Sequence, residues 1–206
     1  MPSDAIVYVV DDDAAVRDGL RFLVESVDLR VESCASAQAF LDAYDASRPG
    51  CLVLDVRLRG MSGLDLQDEL AKRGVSIPTI IITGHGDVPM AVRAMKMGAV
   101  DFVEKPFNDQ QLLDRIQQAI DKDRDRRRDG EERAHMQARL ATLSPREREV
   151  MDLLVVGKAN KEVAEHLGLS TRTVEGHRAR LMEKLGCESL AELVRISLAC
   201  APPAGT

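Results

Sequence analysis

The chain has 206 residues, 45% hydrophobic and 30% charged, with a formal net charge of −6, which allows one large domain or two smaller ones of ordinary globular composition. No apolar run reaches the roughly 18 residues of a membrane span, and "MPSDAIVYVV" lacks the basic start of a secretory signal. Cys34, Cys51, Cys187 and Cys200 lie far apart without zinc or redox spacing, so they read as reduced and structural in a cytoplasmic protein.

Taken in chain order, "AIVYVV" predicts a buried strand, and Val16, Leu20, Leu23, Val24 and Val27 recur at helical spacing over 14–27. "LRVES" is a short strand, and "SAQAFLDAYDA" a helix with Ser36 as its N-cap. "CLVLD" is a buried strand, followed by the helix "GLDLQDELAKRG", closed by Gly74. "IPTIIIT" is a strand, "VPMAVRAMKMG" a helix closed by Gly98, "VDFVEK" a strand, and 109–122 a helix. Five strands alternating with five helices predict an α/β fold, a parallel sheet covered on both faces. Residues 121–135, "DKDRDRRRDGEERAH", are almost wholly charged and predict a solvated helix extension or an interdomain linker. Four short helical patterns and no strand follow. The expected division is therefore 1–121, a connector at 122–141, and a small all-α domain at 142–206.

Charge divides in the same way. Residues 1–120 hold 12 Lys/Arg against 19 Asp/Glu, residues 121–141 hold 7 against 6, and residues 142–206 hold 9 against 9. An acidic front and a balanced rear suggest different partners for the two halves.

Ligands of an open parallel sheet sit beyond the carboxyl ends of its strands. Asp11, Asp12 and Asp13 end the first strand, Asp55 the third, Thr83 the fourth and Lys105 the fifth. Two carboxylates roughly 4 Å apart repel by about 4 kcal/mol at an effective dielectric near 20, so the acids need a compensating charge. A divalent cation such as Mg²⁺, or Mn²⁺, would supply it, with Asp11, Asp12 and Asp55 as ligands and Asp13 starting the next helix. Asp55, alone at the end of an apolar strand, can attack phosphorus and form an aspartyl phosphate. Lys105 and Thr83 would then steady the transferred oxygens.

These motifs, "VDD", "LVLDVRLRGMSGLDL" and "IIITGHGDVPMAVRAMKMGAVDFVEKPF", resemble a response-regulator receiver domain of the FixJ type over about residues 5–120. The resemblance implies the flavodoxin/CheY-like doubly wound (βα)5 fold. It also implies phosphorylation of Asp55 by a sensor histidine kinase, the Arg57 backbone carbonyl as a further metal ligand, a cis Lys105–Pro106 bond and Phe102 as a switch aromatic. Arg59 stands where such receivers usually carry proline, four residues after Asp55. His85 reads as a residue of an exposed loop rather than a catalytic base.

In the rear domain, Ser144, Pro145 and Glu147 form a capping box with proline at the first helical position. Val163, Ala164 and Leu167 mark a short helix, "GLS" a tight turn, and Val174, Leu181, Met182 and Leu185 the apolar side of a longer helix. That is a helix-turn-helix. Its second helix carries Arg172, His177, Arg178, Arg180 and Lys184 away from the apolar stripe. "LSPREREV" and "NKEVAEHLGLSTRTVEGHRARLMEKLG" resemble a LuxR-type DNA-binding domain, as in FixJ and NarL regulators. The resemblance implies that Thr173–Lys184 enters the major groove of double-stranded DNA, with base-reading positions at Glu175, Gly176 and Ala179. Arg178, Arg180 and Lys184 suit phosphate contacts.

Together the resemblances imply a two-component transcription regulator, not an enzyme, that forms a homodimer when phosphorylated and meets RNA polymerase at its promoters. A Mg²⁺-dependent phosphohydrolase and a regulator working without phosphorylation are the competing readings.

Overall fold

Five parallel strands, β1 (Ile6–Val10), β2 (Arg30–Cys34), β3 (Gly50–Asp55), β4 (Thr79–Thr83) and β5 (Asp101–Glu104), form one sheet in the order β2-β1-β3-β4-β5. The computed structural model describes residues 4–84 and 86–200, with side chains as far as Leu198. His85 and the Cys200 thiol lie outside the described residues. Between and after the strands come α1 (Ala14–Glu25), α2 (Ala37–Ala43), α3 (Gly63–Lys72), α4 (Val88–Lys96) and α5 (Asp109–Ala141).

Strand side chains alternate between two faces, and the core follows that alternation. Val7, Val9, Cys51, Val53, Ile80 and Ile82 pack with Leu20 and Val24 of α1 and Leu112, Ile116 and Ile120 of α5. Tyr8, Val10, Leu52, Leu54 and Ile81 face Phe40 of α2, Leu66 and Leu70 of α3 and Ala94 of α4. The central strands are buried on both sides, which is why they read as continuous apolar runs.

Local chemistry sets the helix starts. Asp13, Ser36, Ser62 and Asp87 each accept a backbone N–H from the first turn of the helix they precede. Asp13 is thus a cap, as expected.

Two compact units divide between Arg127 and Arg128. The first unit extends to Arg127, six residues past position 121. α5 continues through the charged stretch, where Asp123 is completely buried rather than solvated. Its carboxylate accepts the Gly50 N–H at 3.1 Å and pairs with Arg126 and Arg127, and Arg127 also donates to the Ala46 carbonyl at 2.7 Å. A buried carboxylate persists only when its hydrogen bonds are supplied in this way.

In the second unit, α6 (Pro145–Val155), α7 (Asn160–Leu167), α8 (Thr171–Leu185) and α9 (Leu190–Cys200) surround Val150, Leu154, Val163, Val174, Leu181 and Leu193. Leu140, near the end of α5, joins that core. Among the described residues no helix is long and apolar enough to cross a membrane.

Candidate functional sites: an acidic pocket and a helix-turn-helix

Register places the acidic pocket. Val10 of β1 pairs with Leu54 of β3, so Asp11 and Asp55 leave the sheet side by side. Lys105, one residue past β5, bridges them: its Nζ donates to Asp11 Oδ2 at 2.7 Å and Asp55 Oδ1 at 2.9 Å. Both carboxylates are almost wholly buried, at 3% and 8% side-chain exposure. Backbone amides take the remaining oxygens, Asp13 N–H on Asp11 Oδ1 at 2.9 Å and Arg57 N–H on Asp55 Oδ2 at 2.6 Å. Burial pushes the Asp55 carboxyl above the usual carboxylate range, against the opposing pull of Lys105. Burial would lower Lys105, but the hydrogen bonds and charges of Asp11 and Asp55 outweigh it and hold the ammonium above the ordinary lysine value.

The expected convergence of three carboxylates is not formed. Asp12 turns to Arg59, whose Nε donates to Asp12 Oδ2 at 3.1 Å. Among the described residues no three His, Cys, Asp or Glu side chains are arranged to hold a metal. Instead Lys105 bridges Asp11 and Asp55 while Arg59 pairs with Asp12. The donor chemistry still fits Mg²⁺, which asks for one or two carboxylates and completes its shell with water. Two buried carboxylates share one ammonium, which leaves a negative charge uncompensated beside Asp12.

Thr83 and Phe102 both lie beside Gly86, at the edge of this pocket. Thr83 is fully buried, and its carbonyl accepts the Lys105 N–H at 2.8 Å, just before the cis Lys105–Pro106 bond. A Cβ on Gly86 would lie 2.9 Å from the Phe102 ring and 3.2 Å from the Thr83 methyl. Phe102 is half-buried against the core, and its ring and the Thr83 methyl both border the space that Gly86 leaves open. Gly63 has a similar role below Asp55: a Cβ there would stand 2.2 Å from the Asp55 carbonyl oxygen. Neither glycine is singled out by the sequence, because the close approach each permits appears only once the chain is folded. Their only signal is a glycine within a few residues of a functional strand end, Gly86 in the loop after β4 and Gly63 at the start of α3.

The helix-turn-helix is formed by α7 and α8. Gly168 closes α7 in the left-handed conformation, and Ser170 caps α8 through the Thr173 N–H at 3.1 Å. Val174, Leu181 and Leu185 are fully buried. Arg172, Thr173, Glu175, Ala179 and Arg180 are exposed, while Gly176, His177 and Arg178 are half-buried. At 3.6 residues per turn, Arg172, Gly176 and Ala179 line up on the outer face, flanked by Glu175 and Arg180. A Cβ on Gly176 would meet nothing, so packing inside the chain does not demand glycine there. Arg178 reaches back to Asn160 Oδ1 at 3.3 Å, and His177 Nδ1 is buried without a hydrogen-bond partner.

Lys184 is not a free DNA-facing cation. Its Nζ donates to Glu147 Oε2 at 2.6 Å and to the Thr142 carbonyl at 3.2 Å, within the unit. Glu147 is 4% exposed and closes its capping box with Ser144, so the lysine is recruited to balance a buried carboxylate. Lys184, the Ser144 N–H and the Ser144 hydroxyl hold the Glu147 carboxyl down to about 2, against the opposing effect of burial.

Comparison with known proteins finds a family for each half of the chain. The response regulator receiver domain family matches residues 7–117, and the luxR family of bacterial regulatory proteins matches residues 141–197. The transcriptional regulatory protein FixJ of Azorhizobium caulinodans is 48% identical over 96% of this chain and 94% of its own length. Nodulation protein W of Bradyrhizobium diazoefficiens is 50% identical over 94% of this chain and 85% of its own. Among solved structures, the response regulator StyR superposes with a TM-score of 0.86 at 43% identity, covering 95% of this chain and 99% of that one. Full-length FixJ from B. japonicum gives 0.59 at 44% identity, covering 96% and 98%. The chain belongs to the response regulators that join a receiver domain to a LuxR-type DNA-binding domain, a family of transcriptional regulators rather than enzymes.

Proposed function

We propose that Asp55 is the phosphoacceptor, that a sensor histidine kinase supplies the phosphoryl group, and that the modified chain dimerises on DNA to regulate transcription in the cytoplasm. The observation that carries this reading is the Asp11–Lys105–Asp55 bridge at the carboxyl edge of the sheet. An Asp55 oxygen attacks phosphorus, the bond to the donor nitrogen breaks, and the donor leaves with a proton. Lys105 and Thr83 then bind the new phosphoryl oxygens. Asp11, Asp12, Asp55 and the Arg57 carbonyl would hold Mg²⁺, or Mn²⁺. Its charge would offset the negative charge building on the phosphoryl oxygens.

The switch follows from the same contacts. Thr83 drawn to the phosphoryl group alters the wall against which Phe102 rests. Inverting a 1:99 population takes about 5.5 kcal/mol of differential binding, within reach of several charge-assisted hydrogen bonds. Val88, Val92 and Met95 stand exposed at helical spacing along α4, and supply an apolar stripe for the homodimer. A cleft of about 470 Å³ between α1 and Pro106–Phe107, lined in part by Lys105 and with Phe22 79% exposed at its edge, offers the kinase a docking surface.

On α8, Arg172, Thr173, Glu175, Gly176, Ala179 and Arg180 face the major groove, with Glu175 able to accept from cytosine N4. His177 and Arg178 support that helix from its inner flank, and RNA polymerase is the partner at the promoter. Footprinting of genomic DNA with wild type and Asp55→Asn, each with and without phosphoramidate, tests the whole chain of events. Protection that grows with phosphodonor only in wild type supports it; equal footprints in all four samples would remove the switch.

A further inference from the structure

Arg59 lies four residues past Asp55, on the loop between β3 and α3, and its Nε donates to Asp12, 47 residues away. The arginine side chain is 92% exposed and the aspartate 26%. The contact occupies Asp12 Oδ2, and among the described residues no three acids are arranged to hold a cation.

We propose that Arg59 is a built-in competitor of the divalent cation: it holds Asp12 when the metal is absent and must release it for the ion to bind. The proposal rests on the reading above, in which Asp12 is a metal ligand. It makes Arg59 a positioning residue that sets how much Mg²⁺ the receiver needs before it can accept a phosphoryl group.

Magnitudes favour a tuned competitor over a block. Exposed ion pairs are weak, because water screens the attraction and a long side chain must be ordered. A dication on buried carboxylates is held far more firmly, so it displaces the guanidinium. The displaced arginine still repels the ion across a short, partly screened distance. Removing it takes away both the competition for Asp12 and that repulsion. A roughly three- to tenfold gain in Mg²⁺ affinity is expected from exposed charge effects of this size.

The sign of the effect separates this role from a merely structural one. Loss of a structural contact would loosen the loop and weaken the metal; loss of a competitor tightens it. Calorimetric titration of the full chain with MgCl₂, and electron paramagnetic resonance of free Mn²⁺ during MnCl₂ titration, would compare wild type, Arg59→Gln, Arg59→Lys and Asp12→Asn. Arg59→Gln should bind both ions roughly three- to tenfold more tightly, by a margin that narrows as NaCl rises. Arg59→Lys should stay near wild type, and Asp12→Asn should bind more weakly. Equal or weaker binding by Arg59→Gln, with wild type still binding, would overturn the competitor role and leave the metal site standing. No uptake of either ion by any folded variant would overturn the metal site, and the competitor with it.

Discussion

Asp123, in the most charged stretch of the chain, accepts the amide N–H of Gly50, the first residue of β3, at 3.1 Å. The bond joins positions 73 residues apart and ties the extension of α5 to the sheet that presents Asp55. Replacing Asp123 with Ala leaves the buried Gly50 N–H without its acceptor and takes the carboxylate from Arg126 and Arg127. The expected loss is about 2–4 kcal/mol from the first unit, seen as a lower urea midpoint by circular dichroism. Asp123→Asn, which keeps an acceptor but not the charge, should fall between.

Glu147 and Lys184 give a pH signature. The Glu147 carboxyl lies at about 2 in the folded unit against 4.5 without its partners. A lowered carboxyl stabilises the fold fully above pH 4.5 and loses that contribution as pH falls toward 2. Because the lysine is over a third exposed, about 1–2 kcal/mol is expected rather than the full value. Carbon-13 NMR should find the Glu147 midpoint near 2 in wild type and closer to 4.5 in Lys184→Met. An unchanged midpoint would deny the pair its role.

The same pair separates anchoring from DNA contact. Arg180 is exposed on α8, whereas the Lys184 ammonium is committed to Glu147. If Arg180 meets a phosphate, Arg180→Ala should reduce the slope of log affinity against log salt by about 0.9 per contact. Lys184→Ala should lower affinity through stability and leave that slope unchanged. Titrations of one DNA fragment at several salt concentrations distinguish the two.

Gly86 tests the coupling of Thr83 to Phe102. An Ala side chain would enter the space that Phe102 and Thr83 occupy, at 2.9 Å and 3.2 Å. In Gly86→Ala the ring is expected to move outward, and the dimer formed on adding phosphodonor to fall severalfold although Asp55 is still labelled. Phe102→Leu in that background should restore part of the response. Sedimentation velocity reads the dimer, and the NMR signals of Phe102 read the ring.

Much of this architecture was legible in the chain. Apolar runs such as "CLVLD" and "IPTIIIT" could only be buried strands, and the residues closing them fall on one edge of the sheet because the strands are parallel. Ser36, Asp13 and the Ser144–Glu147 box were readable because capping is local chemistry. What was not legible depends on distant pairs. Helical periodicity placed Lys184 on the polar side of α8, but only the packing of α6 against α8 brings it to Glu147. Asp123 looked solvated because its neighbours are charged, and its acceptor role depends on Gly50. Arg59 could be flagged as unusual, yet its hold on Asp12 needs the loop after β3 folded over the end of β1.

The account depends most on Asp55 as the site of phosphoryl transfer. Intact-mass spectrometry after incubation with phosphoramidate and Mg²⁺ tests it directly. Wild type should gain the mass of one phosphoryl group, labile to hydroxylamine as an acyl phosphate is, and Asp55→Asn should gain none. Equal labelling of the two proteins, or none of wild type, would contradict the assignment.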